Sequence, residues 1–146
     1  MRVKFAGVAM AVALLLGAAN AASAHHAFGV EFDGDKCMDL HGVLTGLQWE
    51  NPHAYIEVDV TDASGQAVTW RLEMITPNAL KRNGSPSIDF QANMGKPIQT
   101  RSCPARPGAG ENRGAVEYLK MADGLIRIVG QVVERELRPQ DLSFWD

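Results

Sequence analysis

Two alternating runs joined by a polar turn constrain this chain more than any other feature. Ile56, Val58 and Val60 alternate with Tyr55, Glu57 and Asp59, and Val68, Trp70, Leu72 and Met74 alternate with Thr69, Arg71 and Glu73. A period of two sends one set to a core face and the other to solvent. Thr61-Asp62-Ala63-Ser64-Gly65 supplies turn residues between the runs, so the pair reads as a β-hairpin. A lone hairpin is marginal in water, so further strands must cover its apolar face. The hairpin leaves from a rigid corner, Trp49-Glu50-Asn51-Pro52-His53. Pro52 fixes its own φ and restricts Asn51, which delivers His53 to the mouth of the first run.

The flanking sequence supplies the missing strands. From Met38, the residues His41, Val43, Thr45, Leu47 and Trp49 fall on one face and Leu40, Gly42, Leu44 and Gly46 on the other. Two glycines on one face predict a bend or a close approach by another backbone. Thr76-Pro77 opens and Gly84 closes a short helix. Ser85–Met94 reads as a polar loop in which Ile88 and Phe90 reach the core. Ile98–Cys103 reads as a strand, and Pro104–Gly114 as an exposed loop rich in Pro and Gly. Apolar runs at 115–121 and 125–130 flank Ala122-Asp123-Gly124, a strong hairpin signal. Three strands, a short helix and two or three more strands predict a mainly β fold, a small OB-like barrel of five or six strands with one short helix. An open β-sandwich is the rival.

The N-terminus carries an address. Met1-Arg2-Val3-Lys4 is basic, an apolar run follows from Phe5 to about Ala19, and Ala22-Ser23-Ala24 gives a small-residue cleavage site. This order predicts a cleaved signal peptide over 1–24. The apolar run is shorter than the roughly 20 residues a spanning helix needs, so no membrane span is expected after cleavage. The expected divisions are an N-terminal arm at 25–37, anchored by Phe28 and Phe32, a β domain at 38–133 and a charged tail at 134–146. Of 14 Lys and Arg, Arg2 and Lys4 leave with the signal, so 12 basic residues face 17 acidic ones and the net charge is −5. That sign removes the electrostatic term that dominates nucleic-acid affinity. A periplasmic or secreted protein follows, and an oxidising compartment favours a disulfide between Cys37 and Cys103. Closing that loop contributes about 3 to 4.7 kcal/mol on a chain-entropy argument; two separate thiols are the alternative.

Chemistry concentrates on histidines. Cleavage after Ala24 makes His25 the first residue, and its α-amine and Nδ1 can then chelate one metal. A third nitrogen would come from His53 first, or from His26. Amine and imidazole nitrogens in a plane favour Cu(II), and Zn(II) accepts the same donors tetrahedrally. Against this stand plainer roles. Terminal histidines are often incidental, His53 can hydrogen-bond across its own turn, and His41 reads as a partly buried strand residue. Ser64, Ser85, Ser87 and Ser102 lack a nucleophile elbow. Glu57, Asp59 and Glu73 sit where a solvated strand face would put them. No phosphate loop is present.

These motifs together resemble a known group. They are His25-His26-Ala27-Phe28, Glu31-Phe32-Asp33, Trp49-Glu50-Asn51-Pro52-His53-Ala54, Asp62-Ala63-Ser64-Gly65, and Pro77 through Gly84. The chain resembles the domain-of-unknown-function 6152 family, short exported bacterial proteins. Ser85-Pro86 stand where that pattern has Trp-Thr, and Cys37 and Cys103 are particular to this member. The resemblance implies an exported single domain and assigns no activity. The expectation is a non-catalytic periplasmic binding protein holding copper, or zinc, through His25, His53 and His26. The alternative is a module that binds a ligand or a periplasmic protein partner without metal, with Trp49, Asn51, Tyr55 and Trp70 as contact residues. A copper-centred oxidative enzyme is a third, weaker option.

Overall fold

The structure, a computed structural model, describes residues 24–131, with side chains from Phe28 onward. Residues 1–23 of the expected signal peptide and the tail at 134–146 lie outside the described residues. Ala24–Glu31 form helix α1. Met38–Gln48 form a long strand β1, Tyr55–Thr61 form β2 and Ala67–Glu73 form β3. Two short helices follow, α2 (Pro77–Arg82) and α3 (Ser87–Ala92). Strands β4 (Pro97–Pro104), β5 (Arg113–Lys120) and β6 (Ile126–Ile128) complete the order.

The strands run β3-β2-β1-β4-β5-β6, and an additional β3–β5 pairing closes the first five into a barrel. All neighbours are antiparallel except that seam, where Arg71, Leu72 and Glu73 run parallel to Arg113, Gly114 and Ala115. The result is an OB-like mixed barrel of five strands with β6 outside it. β1 serves both sides: its first half pairs with β4 and its second with β2, overlapping at Gly42 and Val43. Such sharing demands strong curvature. A bulge supplies it, because Leu44 pairs with Val58 and Gly46 with Glu57, leaving Thr45 as the extra residue. The glycines do what their spacing predicts. A Cβ added at Gly42 would overlap the carbonyl of Asp59, and one at Gly46 would press on the Glu57 side chain.

Inside the barrel, Leu44, Ile56, Val58, Leu72, Met74, Leu80, Phe90, Val116 and Leu119 are fully buried. The hairpin turn folds as read: Asp62 Oδ1 accepts from the amides of Ser64 and Gln66 at 2.8 and 3.0 Å, with Gly65 at φ 85°. Helix α2 is capped by Thr76, whose Oγ1 accepts from Ala79 N at 3.2 Å. A second, smaller cluster lies under the arm, where Phe28 and Phe32 pack with Cys103 and Ala115. Cys37 and Cys103 are joined by a disulfide across 66 residues.

Several local expectations are corrected. Residues 87–92, read as loop, are α3; Phe90 is buried, but Ile88 is 63% exposed because it lies on the helix's outer side. Two short helices therefore connect β3 to β4. Leu47 and Trp49 do not share a face with His41, since the Thr45 bulge turns them inward to pack on the core. His41, read as partly buried, precedes the bulge and is exposed. Glu73, expected in solvent, is only 5% exposed, because the His53 corner covers it.

Candidate functional site

The corner Asn51-Pro52 places His53 where β2 begins, and the peptide between those two residues is cis. Ala54 is held by its neighbours, donating to Ile75 O at 3.4 Å and accepting from Met74 N at 2.8 Å. His53 therefore stands over the end of β3. Its Nδ1 meets Oε1 of Glu73, and the His53 side chain is 24% exposed while the carboxylate is buried. A buried carboxylate costs free energy unless it is paired. Nδ1 of the imidazole supplies that pairing and so orients the ring, with Nε2 on the side away from the carboxylate. Among the described residues, Glu73 is the polar partner of the ring.

Tyr55 sits directly across from Glu73 in the β2–β3 register. Burial, followed by the charge and hydrogen bonding of Glu73, raises the Tyr55 hydroxyl above its ordinary value; Arg71 opposes the rise. The Arg71 guanidinium lies 4.3 Å from the centre of the Tyr55 ring and donates through Nη2 to Gln48 Oε1 at 2.7 Å. Gln48, Tyr55, Glu57 and Arg71 line a cleft of about 210 Å³ with Gly46 and Leu47.

The arm approaches the same corner. Phe28 of α1 meets His53 edge-on at 5.3 Å between ring centroids and stacks against Phe32 at 5.2 Å. His25 precedes Phe28 by three residues in that helix, about 4.5 Å along its axis at 1.5 Å per residue. His26 precedes it by two. The side chains of His25 and His26 lie outside the described residues.

The other candidates divide. Trp49 and Trp70 are partly buried and pack on the barrel core, Trp49 with its ring 5.6 Å from that of Phe90. Asn51 is exposed beside the corner. His41 lines a separate cleft with Pro97, Ile98 and Lys120. Among the described residues, the His, Cys, Asp and Glu grouping at metal-ligand spacing is Cys37, Cys103 and Glu117, and there both sulfurs are spent in the disulfide. Sequence reading missed Glu73 and Glu117. Each carries a faint signal, a carboxylate inside an apolar run: Leu72-Glu73-Met74 and Ala115-Val116-Glu117-Tyr118-Leu119.

Residues 12–115 match a family model whose description is a family of unknown function, DUF6152. Neither a curated protein nor a solved structure matches the chain. No helix among the described residues is long and apolar enough to cross a membrane.

Proposed function

We propose, starting from the chain's membership of the DUF6152 family, to which no activity attaches, that this is an exported, non-catalytic metal-binding protein. Its preferred ion is Cu(II), with Zn(II) the second fit. The ligands are Nε2 of His53 and the amine and imidazole of His25, with His26 as the alternative third donor. The observation that carries this reading is the pairing of His53 Nδ1 with the buried Glu73 carboxylate. Histidines that ligate metals almost always donate their other nitrogen to such a partner, which orients the ring and raises its basicity. The contact of Phe28 with His53 adds support, because it docks the helix that contains His25 and His26 at the same corner. Nitrogen donors of this kind suit copper and zinc rather than hard cations.

The test is a Cu(II) titration of the protein beginning at His25, followed by electron paramagnetic resonance to count ligand nitrogens. Tight one-to-one binding that is lost in His53→Ala, and in a form with one residue added before His25, is the expected result. Affinity that survives both changes would sink the reading.

A second reading is favoured by the cleft where Arg71 lies over Tyr55. It makes the protein a metal-independent module for a small ligand or a periplasmic protein, with Tyr55 as the contact among the four residues first considered. Unchanged Cu(II) behaviour together with co-purification of one partner, lost on Arg71→Ala, would favour it.

A further inference from the structure

Glu57 of β2 and Arg71 of β3 stand directly opposite each other in the ladder, both exposed. Opposite charges so placed ordinarily pair across the strands. Here each is turned aside. The Arg71 guanidinium lies over the Tyr55 ring at 4.3 Å and donates to Gln48 Oε1 at 2.7 Å. Gln48 is held in turn, because its Nε2 donates to Oε1 of Glu50. Glu57 instead lies over Gly46, where an added Cβ would come within 2.6 Å of Glu57 Oε2. The carboxylate thus uses the space that a side chain at 46 would fill. Among the described residues no ion pair joins Arg71 to Glu57, and both line the cleft of about 210 Å³. An exposed pair contributes at most about 1 kcal/mol, so keeping the two charges apart costs the fold little.

We propose that this cleft binds a small zwitterionic α-amino acid, with its carboxylate on Arg71 and its ammonium on Glu57. The inference rests on the second reading above, in which the cleft is a ligand site, and it needs no metal. A guanidinium matches a carboxylate through two parallel N–H donors. Tyr55 and Gln48 set the position of Arg71 before a ligand arrives, which lowers the cost of ordering it. An ammonium group brings three donors to Glu57. Charge disfavours the simpler occupants. Glu50 and Glu57 flank the Arg71 guanidinium, so an anion with no positive group meets two carboxylates. A bare amine satisfies Glu57 and is repelled by Arg71. The cleft lies below the range of about 300–1,000 Å³ usual for drug-sized ligands, which limits the occupant to a few heavy atoms. Leu47 and Tyr55 offer a short side chain an apolar wall.

The experiment follows the Arg71 Nε–H and the Tyr55 ring by nuclear magnetic resonance as L-alanine is added to the full folded protein without metal. Propionate, which lacks the ammonium, and ethylamine, which lacks the carboxylate, are the comparison probes. A saturable shift with alanine is expected. Each comparison probe should bind at least about tenfold more weakly, the loss of one hydrogen-bonded charge. Arg71→Gln and Glu57→Gln, both at exposed positions, should weaken alanine binding by the same factor. Absence of a saturable shift overturns the proposal, as does alanine binding that survives either substitution. Propionate binding as tightly as alanine overturns the amino acid as occupant and keeps the cleft as a ligand site. A partner that co-purifies through Arg71, with no response to alanine, overturns this inference and leaves the second reading standing.

Discussion

His53 donates from Nδ1 to Oε1 of Glu73, so one buried carboxylate sets the ring's orientation and the nitrogen it offers outward. Glu73→Gln keeps the volume and removes the charge. Such partners of metal-bound histidines typically contribute 10- to 100-fold in affinity. Cu(II) binding should therefore weaken by about that factor in Glu73→Gln, measured by competition against a chelator of known affinity. An unchanged constant would separate Glu73 from the metal reading.

Tyr55 reports on the same carboxylate. Burial and Glu73 raise its hydroxyl above 10. The folded protein thus holds this proton more tightly than the unfolded chain does. The associated stability is fully present below the unfolded value near 10 and is lost as pH rises through the higher folded value. Ultraviolet titration of tyrosinate should place one tyrosine late, and Glu73→Gln should bring it back toward the ordinary range. A late tyrosine that ignores the substitution would assign the shift to burial alone.

Gly42 is a point of close backbone approach in the barrel wall. A Cβ there would overlap the Asp59 carbonyl and touch the Val58 side chain, and both belong to a strand that cannot retreat. Gly42→Ala should destabilise the fold by about 1–3 kcal/mol, the range for overpacking a filled site. Urea unfolding followed by circular dichroism measures it. An alanine at exposed Gly29, in helix α1 with nothing within 4 Å, should cause no such loss and by helix propensity should gain up to about 1 kcal/mol.

The β5–β6 turn carries its own titration. The Arg127 guanidinium hydrogen-bonds Asp123, with Nη2 to Oδ2 at 2.5 Å, and holds that carboxyl down to about 2. A depressed carboxyl contributes stability that is present above the unfolded value of 3.8 and is lost as pH falls through about 2. Side-chain carbon shifts in a nuclear magnetic resonance titration should give a midpoint near 2. Arg127→Gln should return it toward 3.8, and a midpoint that stays low would credit the backbone amide of Leu125 instead.

Much of the barrel was legible because its signals are local. Alternation marked β2 and β3, Asp62 and Gly65 marked their turn, and Thr76-Pro77 with Gly84 marked α2. Gly42 and Gly46 announced a close approach before the approaching strand was known. The failures share one cause, which is contact between residues distant in the chain. The Thr45 bulge that turns Leu47 and Trp49 inward depends on how β2 pairs, not on β1 itself. Helix α3 has no side-chain cap to advertise it. Glu73 and Glu117 look like solvent residues by type and by their places in their strands. What buries Glu73 is a histidine twenty positions earlier, and what lies against Glu117 is the bridge between Cys37 and Cys103. His53 was legible as a candidate because Pro52 fixes its backbone, but its partner was not, since nothing in Leu72-Glu73-Met74 names a histidine.

The parallel seam gives the His53 corner a dependence on the whole barrel. Glu73 pairs with Ala115 across β3 and β5, a contact spanning more than forty residues, beside Gly114, where a side chain would strike the Cys103 carbonyl. Contacts of such long range are entropically expensive to close. The residue whose carboxylate holds His53 therefore stands at once in the β2–β3 hairpin and in the seam that closes the barrel. The corner and the seam thus share the end of β3, and a change that loosens one is felt by the other.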